Sequence, residues 1–337
     1  MGIKMTKKAF DEVLKKISAQ YKIFAPVSLA GANTFSDNEL IRYEEVKSIN
    51  EIEFDKKSQY SAKEIVIPIT QTLFYFTEDQ FIEPKVDDKD VLVFLRSCDI
   101  HSFIRLDEIY LRNKFADKYY KVLRDKIKFV LIGCNSSFDN CFCVSMDSNK
   151  TENYQLYIKP VGENVLIDIK DKKFEEIFKG ENVNVTPDFV VNNQVVVQVP
   201  NLQNTNINNH QMWREYDSRC IACGRCNFVC PTCTCYTMQD IIYKDNENNG
   251  ERRRVWASCH VDGYTDMAGG HSFRKPNGDR MRFKVMHKVY DYKKRFGYHM
   301  CVGCGRCDDV CPQYISFSNC VNKLNEAVEE TNYMKSR

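Results

Sequence analysis

Long hydrophobic runs are absent from this 337-residue chain, and none approaches the roughly 20 apolar residues of a membrane-spanning helix. Positive and negative charges nearly balance, with 48 Lys and Arg against 46 Asp and Glu. No global charge therefore indicates nucleic-acid binding. The chain also has no glycine-rich nucleotide fingerprint and no nucleophile–base pair. The sequence thus predicts no membrane or nucleic-acid partner and no catalytic side chain.

An export signal is also missing from the first residues. The segment MGIKMTKKAFDEVLKK has the pattern of a polar amphipathic helix and lacks the apolar core of a signal peptide. Sixteen cysteines without export indicate a reducing compartment and metal binding rather than disulfides. We therefore expect a cytoplasmic protein, and oxygen-sensitive cofactors would favour anaerobic conditions.

What the chain does have is one cysteine spacing that occurs twice, C-x2-C-x2-C-x3-C-P. The first copy is Cys220, Cys223, Cys226, Cys230 and Pro231, and the second is Cys301, Cys304, Cys307, Cys311 and Pro312. This spacing is typical of bacterial ferredoxins that bind [4Fe-4S] clusters. The two-residue gaps let one tight loop direct three thiolates to three corners of a cluster, and the proline turns the chain away.

In two-cluster proteins of this type the fourth cysteine of each motif serves the other cluster. The sequence therefore predicts two ligand sets, Cys220, Cys223, Cys226 and Cys311 for cluster 1, and Cys301, Cys304, Cys307 and Cys230 for cluster 2. Structural zinc is the alternative, but zinc knuckles use widely separated C-x2-C pairs. The motifs predict an electron carrier.

Two domains are expected. Residues 1–205 predict an α/β (or α+β) domain of unassigned role, with a polar, asparagine-rich linker near 200–212. Strands are predicted at 91–95, 128–134, 164–169 and 194–200. Helices are predicted at 6–19 and at 102–125, where Ser102 would be the N-cap.

Residues 212–337 predict a mostly α-helical, ferredoxin-like dicluster domain with a long insertion between the motifs. Helical patterns occupy 236–243, 280–296 and 315–330, and the second of these should end at Gly297. Strand signals nearly vanish in this half of the chain.

Two further groups of cysteines could bind metal. Cys233, Cys235 and Cys259 would form a third site, with Asp240, His260 or Asp262 as a fourth ligand. The alternative is that these are small buried residues beside a cluster.

The other group is Cys98, Cys134, Cys141 and Cys143, in segments that follow predicted strands, where open α/β sheets place ligands. For this N-terminal group the alternative of core or loop cysteines is favoured. Cys320 has no partners in the pattern and is interpreted as packing.

Basic residues are concentrated between the motifs: Arg252, Arg253, Arg254, Arg274, Lys275, Arg280, Arg282, Lys284 and Lys288. A cluster held by four thiolates is anionic, so nearby cations would raise its reduction potential. A solvated surface is the favoured interpretation for the lysines. The arginines at 252–254 could instead hold a partner or an anion such as sulfite.

Six signatures together resemble a known family. They are RSCD (96–99), DNCFCVSM (139–146), CIACGRCNFVCPTCTCYTMQD (220–240), RRRVWASC (252–259), AGGHSFR (268–274) and HMCVGCGRCDDVCP (299–312). In this order they resemble the iron–sulfur subunit of anaerobic sulfite reductase and the related beta subunit of sulfhydrogenases. The resemblance implies a non-catalytic protein that relays electrons from an NADH-oxidising flavin subunit to a sirohaem subunit, which reduces sulfite to sulfide.

Two alternatives to that function stay open. The chain could be the equivalent iron–sulfur beta subunit of a sulfhydrogenase, a hydrogenase or another flavin-linked oxidoreductase. It could also be an autonomous enzyme whose large N-terminal domain binds a flavin or a substrate.

Overall fold

The structure, a computed structural model, describes residues 1–32, 39–203, 205–244 and 248–335. The chain forms two compact units that alternate along the sequence. Unit 1 comprises Met1–Ile67, Lys85–Phe138 and Asp147–Asn192, and unit 2 comprises Pro68–Pro84, Asp139–Met146 and Asn193–Arg337. The predicted linker near 200–212 falls within unit 2. One of its residues, Asn204, is outside the described residues. The predicted limits of the functional domains stay a prediction.

Twelve strands and ten α-helices lie in the described residues. The strands are β1 (Gly2–Thr6), β2 (Tyr21–Leu29), β3 (Leu40–Glu45), β4 (Thr70–Phe76), β5 (Phe81–Ile82), β6 (Asp90–Leu95), β7 (Ile127–Ile132), β8 (Leu156–Val161), β9 (Asn164–Ile169), β10 (Glu181–Asn182), β11 (Tyr236–Ile242) and β12 (Gly250–Trp256). The helices are α1 (Lys7–Ile17), α2 (Ser97–Tyr110), α3 (Lys118–Arg124), α4 (Lys172–Glu175), α5 (Glu215–Arg219), α6 (Arg225–Phe228), α7 (Asn277–Met286), α8 (Tyr292–Phe296), α9 (Arg306–Asp309) and α10 (Phe317–Lys335). None of these helices is both long and apolar enough to cross a bilayer.

Unit 1 is built on an eight-stranded mixed sheet in the order β10-β1-β9-β8-β7-β6-β2-β3. The central pairs β2–β6, β6–β7 and β7–β8 are parallel, and the outer pairs are antiparallel. The apolar runs of β6 and β7 suit this central place, because parallel strands are buried on both faces. The predicted N-terminal α/β domain and its strands at 91–95, 128–134 and 164–169 are confirmed.

The helices of unit 1 follow local capping chemistry. Helix α1 begins after Thr6, whose hydroxyl accepts a hydrogen bond from the backbone N–H of Ala9 at 3.2 Å. The predicted single helix over 102–125 is wrong, since α2 begins at Ser97 and α3 is separate. Ser102 does not cap a helix; its hydroxyl donates to the Asp99 carbonyl within α2. Lys114, between the two helices, has a positive φ of 73°, which a continuing helix excludes.

Unit 2 contains a second, four-stranded antiparallel sheet in the order β11-β12-β4-β5. The helix predicted over 236–243 is therefore wrong, because β11 pairs with β12 over seven residues, from Tyr236 opposite Trp256 to Ile242 opposite Gly250. A short run cannot be assigned to helix or strand by periodicity alone. The domain is accordingly less helical than the sequence predicted.

The strand predicted over 194–200 is also wrong, since this stretch has no regular secondary structure. Its backbone groups are bonded instead by side chains of α10. The N–H of Gln198 donates to Asn322 Oδ1, while Asn322 Nδ2 donates to the Val196 carbonyl and Asn325 Nδ2 to the Gln198 carbonyl. Val197 packs in the apolar core of unit 2. Side-chain amides thus replace the ladder that a neighbouring strand would provide.

The helices predicted around the second motif are confirmed. The pattern over 280–296 corresponds to α7, one π-helical turn (His287–Asp291) and α8, and it ends at Gly297 with φ of 88°. The pattern over 315–330 corresponds to α10. Cys320, on α10, is fully buried in the apolar core of unit 2, as its interpretation as a packing residue requires.

Candidate metal centre

The first cysteine loop runs from Cys220 to the end of α6. Gly224 has a left-handed φ of 74°, and Ala222 has a positive φ of 56° although it is not glycine. Asn227 connects the loop to the segment after β12, since its Nδ2 donates to Ser258 Oγ at 3.0 Å and to Cys259 Sγ at 3.1 Å. The outer side of this loop is open, and Cys223 is exposed.

The second loop has the same turn but different surroundings. Gly303 and Gly305 have positive φ values of 63° and 70°, and the segment Asp139–Met146 lies against both. The N–H of Phe142 donates to the Gly303 carbonyl at 2.7 Å. A Cβ at either glycine would collide with the backbone of this segment. Cys304 is buried as a result.

The two motifs meet at one cavity. Its wall contains Cys220, Cys223 and Cys226 of the first motif together with Cys311 of the second. Burial raises the pKa of the Cys220 thiol, and the charges of Cys226, Cys223 and Cys311 raise it further. Cys307 of the second motif also lines this wall, so two cysteines of motif 2 lie beside the first three of motif 1. The crossed ligand sets stay a prediction.

The other four cysteines influence one another electrostatically. Burial raises the pKa of Cys301 to about 12, and the charges of Cys304 and Cys230 contribute. The pKa of Cys307 is likewise raised by burial and by Cys304 and Cys230 among its neighbours. Such thiols are neutral until a metal ion displaces their protons. Loading this set with iron would therefore release protons.

Two buried lysines lie beside these sulfurs. Lys284 and Lys288 are 4% and 3% exposed. Burial lowers the pKa of each ammonium, but the pKa is raised overall by surrounding cysteines, among them Cys226 for Lys284 and Cys230 for Lys288. The expectation of a solvated surface is wrong for these two residues. Their pattern of spacing did not distinguish a buried charge from an exposed one.

His260 completes the wall of the first cavity. Its side chain is 1% exposed, and Nε2 has no hydrogen-bond partner within the described residues. Nδ1 lies 3.9 Å from Cys220 Sγ. Burial and the charges of Lys284 and Arg280 lower the pKa of His260 to about 3, so the imidazole is neutral. An unpartnered polar nitrogen beside a cavity lined by five thiols fits a bound sulfide-containing cluster.

Comparison with known proteins agrees with this chemistry. Residues 219–315 match the family model described as a 4Fe-4S dicluster domain. The cofactors of this chain are [4Fe-4S] clusters. The chain is also similar over nearly its whole length to the sulfhydrogenase 2 subunit beta of Pyrococcus furiosus, at 28% identity over 349 aligned positions, covering 97% of this chain and 99% of that protein. It is thus similar to an iron–sulfur electron-transfer subunit, whereas a specific relation to sulfite reductase is not shown. No solved structure matches the chain significantly.

The proposed third site is divided into two thiol pairs. Cys233 shares a hydrogen bond with Cys230, and Cys235 shares one with Cys259. The bond from Cys259 lowers the pKa of Cys235 to about 6 and raises that of Cys259. Across the part of the chain that the structure describes, no three His, Cys, Asp or Glu side chains are grouped to hold a single metal ion.

The suggested fourth ligands of that site differ in their surroundings. Asp240 is exposed and forms a bidentate ion pair with Arg252 at 2.6 Å, and Asp262 forms an ion pair with Arg280. His260 faces the cavity of the first set instead. The third site stays a prediction.

The N-terminal group is divided between the units. Cys98, in the first turn of α2, and Cys134, just after β7, follow neighbouring parallel strands of unit 1 as predicted. Arg96 Nη1 donates to Cys134 Sγ at 3.3 Å. Cys141 and Cys143 are buried in unit 2, where Cys141 Sγ donates to the Cys304 carbonyl at 3.4 Å. A metal site formed by all four stays a prediction.

The arginines at 252–254 are engaged within the small sheet. Arg252 pairs with Asp240, Arg253 with Glu251, and Arg254 donates to Gln71 Oε1 at 2.8 Å. Arg254 also lies over the Tyr236 ring. Their guanidinium groups therefore already have partners on the protein, and an external anion would have to compete with them.

Sequence reasoning missed the backbone cover over the second loop. The two motifs differ at one position that could have indicated this cover: the second loop has Gly303 where the first loop has Ala222. A positive φ alone tolerates alanine, as Ala222 shows. A glycine at the equivalent position indicates that another backbone approaches closely.

Proposed function

We propose that this chain is the iron–sulfur relay subunit of a hydrogenase-type oxidoreductase complex, passing single electrons between cofactors of its partner subunits. The observation that carries the proposal is the cavity where Cys220, Cys223 and Cys226 lie beside Cys311. A crossed pair of motifs holds two redox centres close together in one small unit. The full-length similarity to a sulfhydrogenase beta subunit supports the hydrogenase-type assignment.

The side chains around the cysteines have supporting roles and carry out no bond chemistry. When bound, each cluster supplies a one-electron redox couple. The eight cysteines Cys220, Cys223, Cys226, Cys311, Cys301, Cys304, Cys307 and Cys230 would hold the two clusters in the crossed sets. Lys284 and Lys288 offset the negative charge of the thiolates, and the covered second loop excludes water from Cys304.

The partners follow from what a relay requires. A flavin subunit that oxidises NADH would supply electrons on one side, and a nickel-containing subunit would exchange them with hydrogen on the other. The sequence signatures also suggest a sirohaem subunit that reduces sulfite, which is the second candidate function. Both candidates use the same clusters and differ only in the terminal partner.

One anaerobic isolation tests these proposals. The tagged chain is purified with its partners without oxygen, and iron, acid-labile sulfide, nickel, flavin and sirohaem are quantified. Two clusters require about eight iron atoms per chain, since each contains four. Nickel with hydrogen-driven reduction of the clusters supports the hydrogenase-type complex, whereas sirohaem with NADH-driven sulfite reduction supports the second candidate. Colourless, iron-free protein would contradict both.

The same preparation addresses the autonomous enzyme. Flavin absorbance in the isolated single chain, with turnover in the absence of partners, would favour an enzyme whose N-terminal domain binds the flavin. Cluster absorbance alone agrees with a relay.

A further inference from the structure

Two ammonium groups are buried four residues apart, one on α7 and one on the π-helical turn that follows it. Lys284 and Lys288 belong to a residue type that is almost never fully buried without a partner. Within the described residues, the leading groups that raise the pKa of each lysine are cysteine sulfurs and not carboxylates. Sulfur and hydroxyl groups surround them instead. Such a pair of buried charges needs a nearby anion, which here would be the cysteine thiolates that hold a cluster.

Lys284 belongs to the first cysteine set. It lines the cavity whose wall contains Cys220, Cys223, Cys226 and Cys311 together with Cys307 of the second set. Its ammonium donates to the Cys226 sulfur and lies 5.4 Å from the centre of the Phe317 ring. Cys307 of the second set is also within its electrostatic reach.

Lys288 belongs to the second set, and it acts through both its side chain and its backbone. Nζ donates to Thr232 Oγ1 at 2.7 Å, and that hydroxyl lies 3.5 Å from Cys230 Sγ. The Lys288 carbonyl accepts from the N–H groups of Met300 and Cys301, at 2.9 and 3.2 Å. Lys288 is therefore linked to Cys230 through the Thr232 hydroxyl and bonded to Cys301 through its own carbonyl.

We infer that Lys284 and Lys288 are positioning residues that set the reduction potentials of the two clusters separately, Lys284 mainly for cluster 1 and Lys288 for cluster 2. The inference rests on the proposed relay function. Reduction adds an electron to a cluster that is already anionic, so a fixed buried cation stabilises the reduced form. Two cations at different sulfurs of adjacent centres allow the two potentials to be raised separately.

The test uses neutral substitutions of similar length in the complete complex. Lys288→Met and Lys284→Met are titrated potentiometrically without oxygen while the reduced clusters are followed by EPR. Signals are assigned with Cys223→Ser and Cys304→Ser. Lys288→Met should shift the reduction equilibrium of cluster 2 about tenfold towards the oxidised form, which is about 59 mV for a one-electron couple. Lys284→Met should lower the potential of cluster 1 more than that of cluster 2.

Lys294→Met is the matched control, because Lys294 is exposed on α8 of the same continuous helix. It should leave both potentials unchanged. If Lys288→Met fails to assemble, Thr232→Val removes the hydroxyl between Lys288 and Cys230 while keeping the volume. This variant should lower the potential of cluster 2 by a smaller amount, and an unchanged potential would overturn the inference.

Failure of the inference and failure of the relay are distinguishable. Unchanged potentials in both lysine variants, or equal shifts of both clusters in each, would overturn separate tuning and leave the relay intact, since iron and sulfide remain bound. Absence of clusters from the unsubstituted protein would instead contradict the proposed function.

Discussion

The first cysteine loop exposes Cys223 and leaves Ile221 54% exposed, whereas in the second loop Cys304 and Arg306 are buried. Their sequences, CIACGRCNFVCP and CVGCGRCDDVCP, differ at few positions. The difference arises from what lies outside each motif. Backbone from Asp139–Met146 covers the second loop, and no Cβ at Gly303 or Gly305 could be accommodated beneath it.

The comparison extends to the residue after the third cysteine. Asn227 in the first loop bonds Ser258 and Cys259, while its counterpart Asp308 in the second loop accepts from the Phe317 N–H at 2.8 Å at the start of α10. One motif position therefore anchors two different parts of the unit. A shared local motif sets the turn of the chain, and the surroundings determine access to the metal.

The largest expected effect is the loss of a cluster ligand. Cys304→Ser or Cys223→Ser should abolish NADH-driven reduction of the terminal acceptor by the complex, because either change interrupts the relay. NADH oxidation with artificial acceptors should persist, since it needs only the flavin subunit. Cys320→Ala is the control, as this buried cysteine lies outside both sets and should leave the iron content unchanged. Survival of both activities in the serine variants would contradict the relay.

The next effect tests the cover over the second loop. Gly303→Ala should remove most of the iron from cluster 2, because the added Cβ would clash with the Phe142 carbonyl and displace the loop that carries the ligands. Gly297→Ala is the matched control, since Gly297 also has positive φ but has open space around it. Gly297→Ala should lower the free energy of unfolding by only about 1–2 kcal/mol, the strain expected for a non-glycine residue in the left-handed region. Equal iron content in both variants would show that the cover does not constrain the loop.

A smaller effect is expected at the paired anchors. Asp308→Ala removes the acceptor for the first N–H groups of α10 and should lower the free energy of unfolding by about 1–2 kcal/mol, as for other N-terminal caps. Asn227→Ala should cost about 1 kcal/mol, typical of a buried hydrogen bond. Denaturant titration of the anaerobic protein measures both. A larger loss of unfolding free energy in Asn227→Ala than in Asp308→Ala would contradict this expected order.

The smallest effect on stability is expected at Tyr314, which follows Cys311 and is 90% exposed. Its neighbours Gln313 and Ile315 line the cavity that contains Cys223. If electrons are exchanged with a partner beside this cavity, Tyr314→Ala should slow reduction by that partner without changing iron content, whereas Tyr333→Ala, at another exposed tyrosine of unit 2, should not. Stopped-flow absorbance of the clusters measures the rate, and identical rates in the two variants would argue against docking beside this cavity.

Much of the local structure could be predicted from the sequence. The strands at 91–95 and 164–169 have apolar patterns that suit their places in the sheet, and the helix ending at Gly297 has its stop signal. The run 236–243 was assigned wrongly because its pairing with β12 is decided by residues distant in sequence. The extended stretch 194–200 was misassigned because its hydrogen bonds come from Asn322 and Asn325, more than 100 residues away.

By itself, the sequence determined the cofactor chemistry, since two C-x2-C-x2-C-x3-C-P runs present thiolates at fixed short spacings. Only the tertiary structure decided which sulfurs are exposed and where the charges of Lys284 and Lys288 lie. The physical reason is that metal-ligand spacing is a local property of the chain, whereas burial and electrostatic environment depend on segments brought together from distant parts of the sequence.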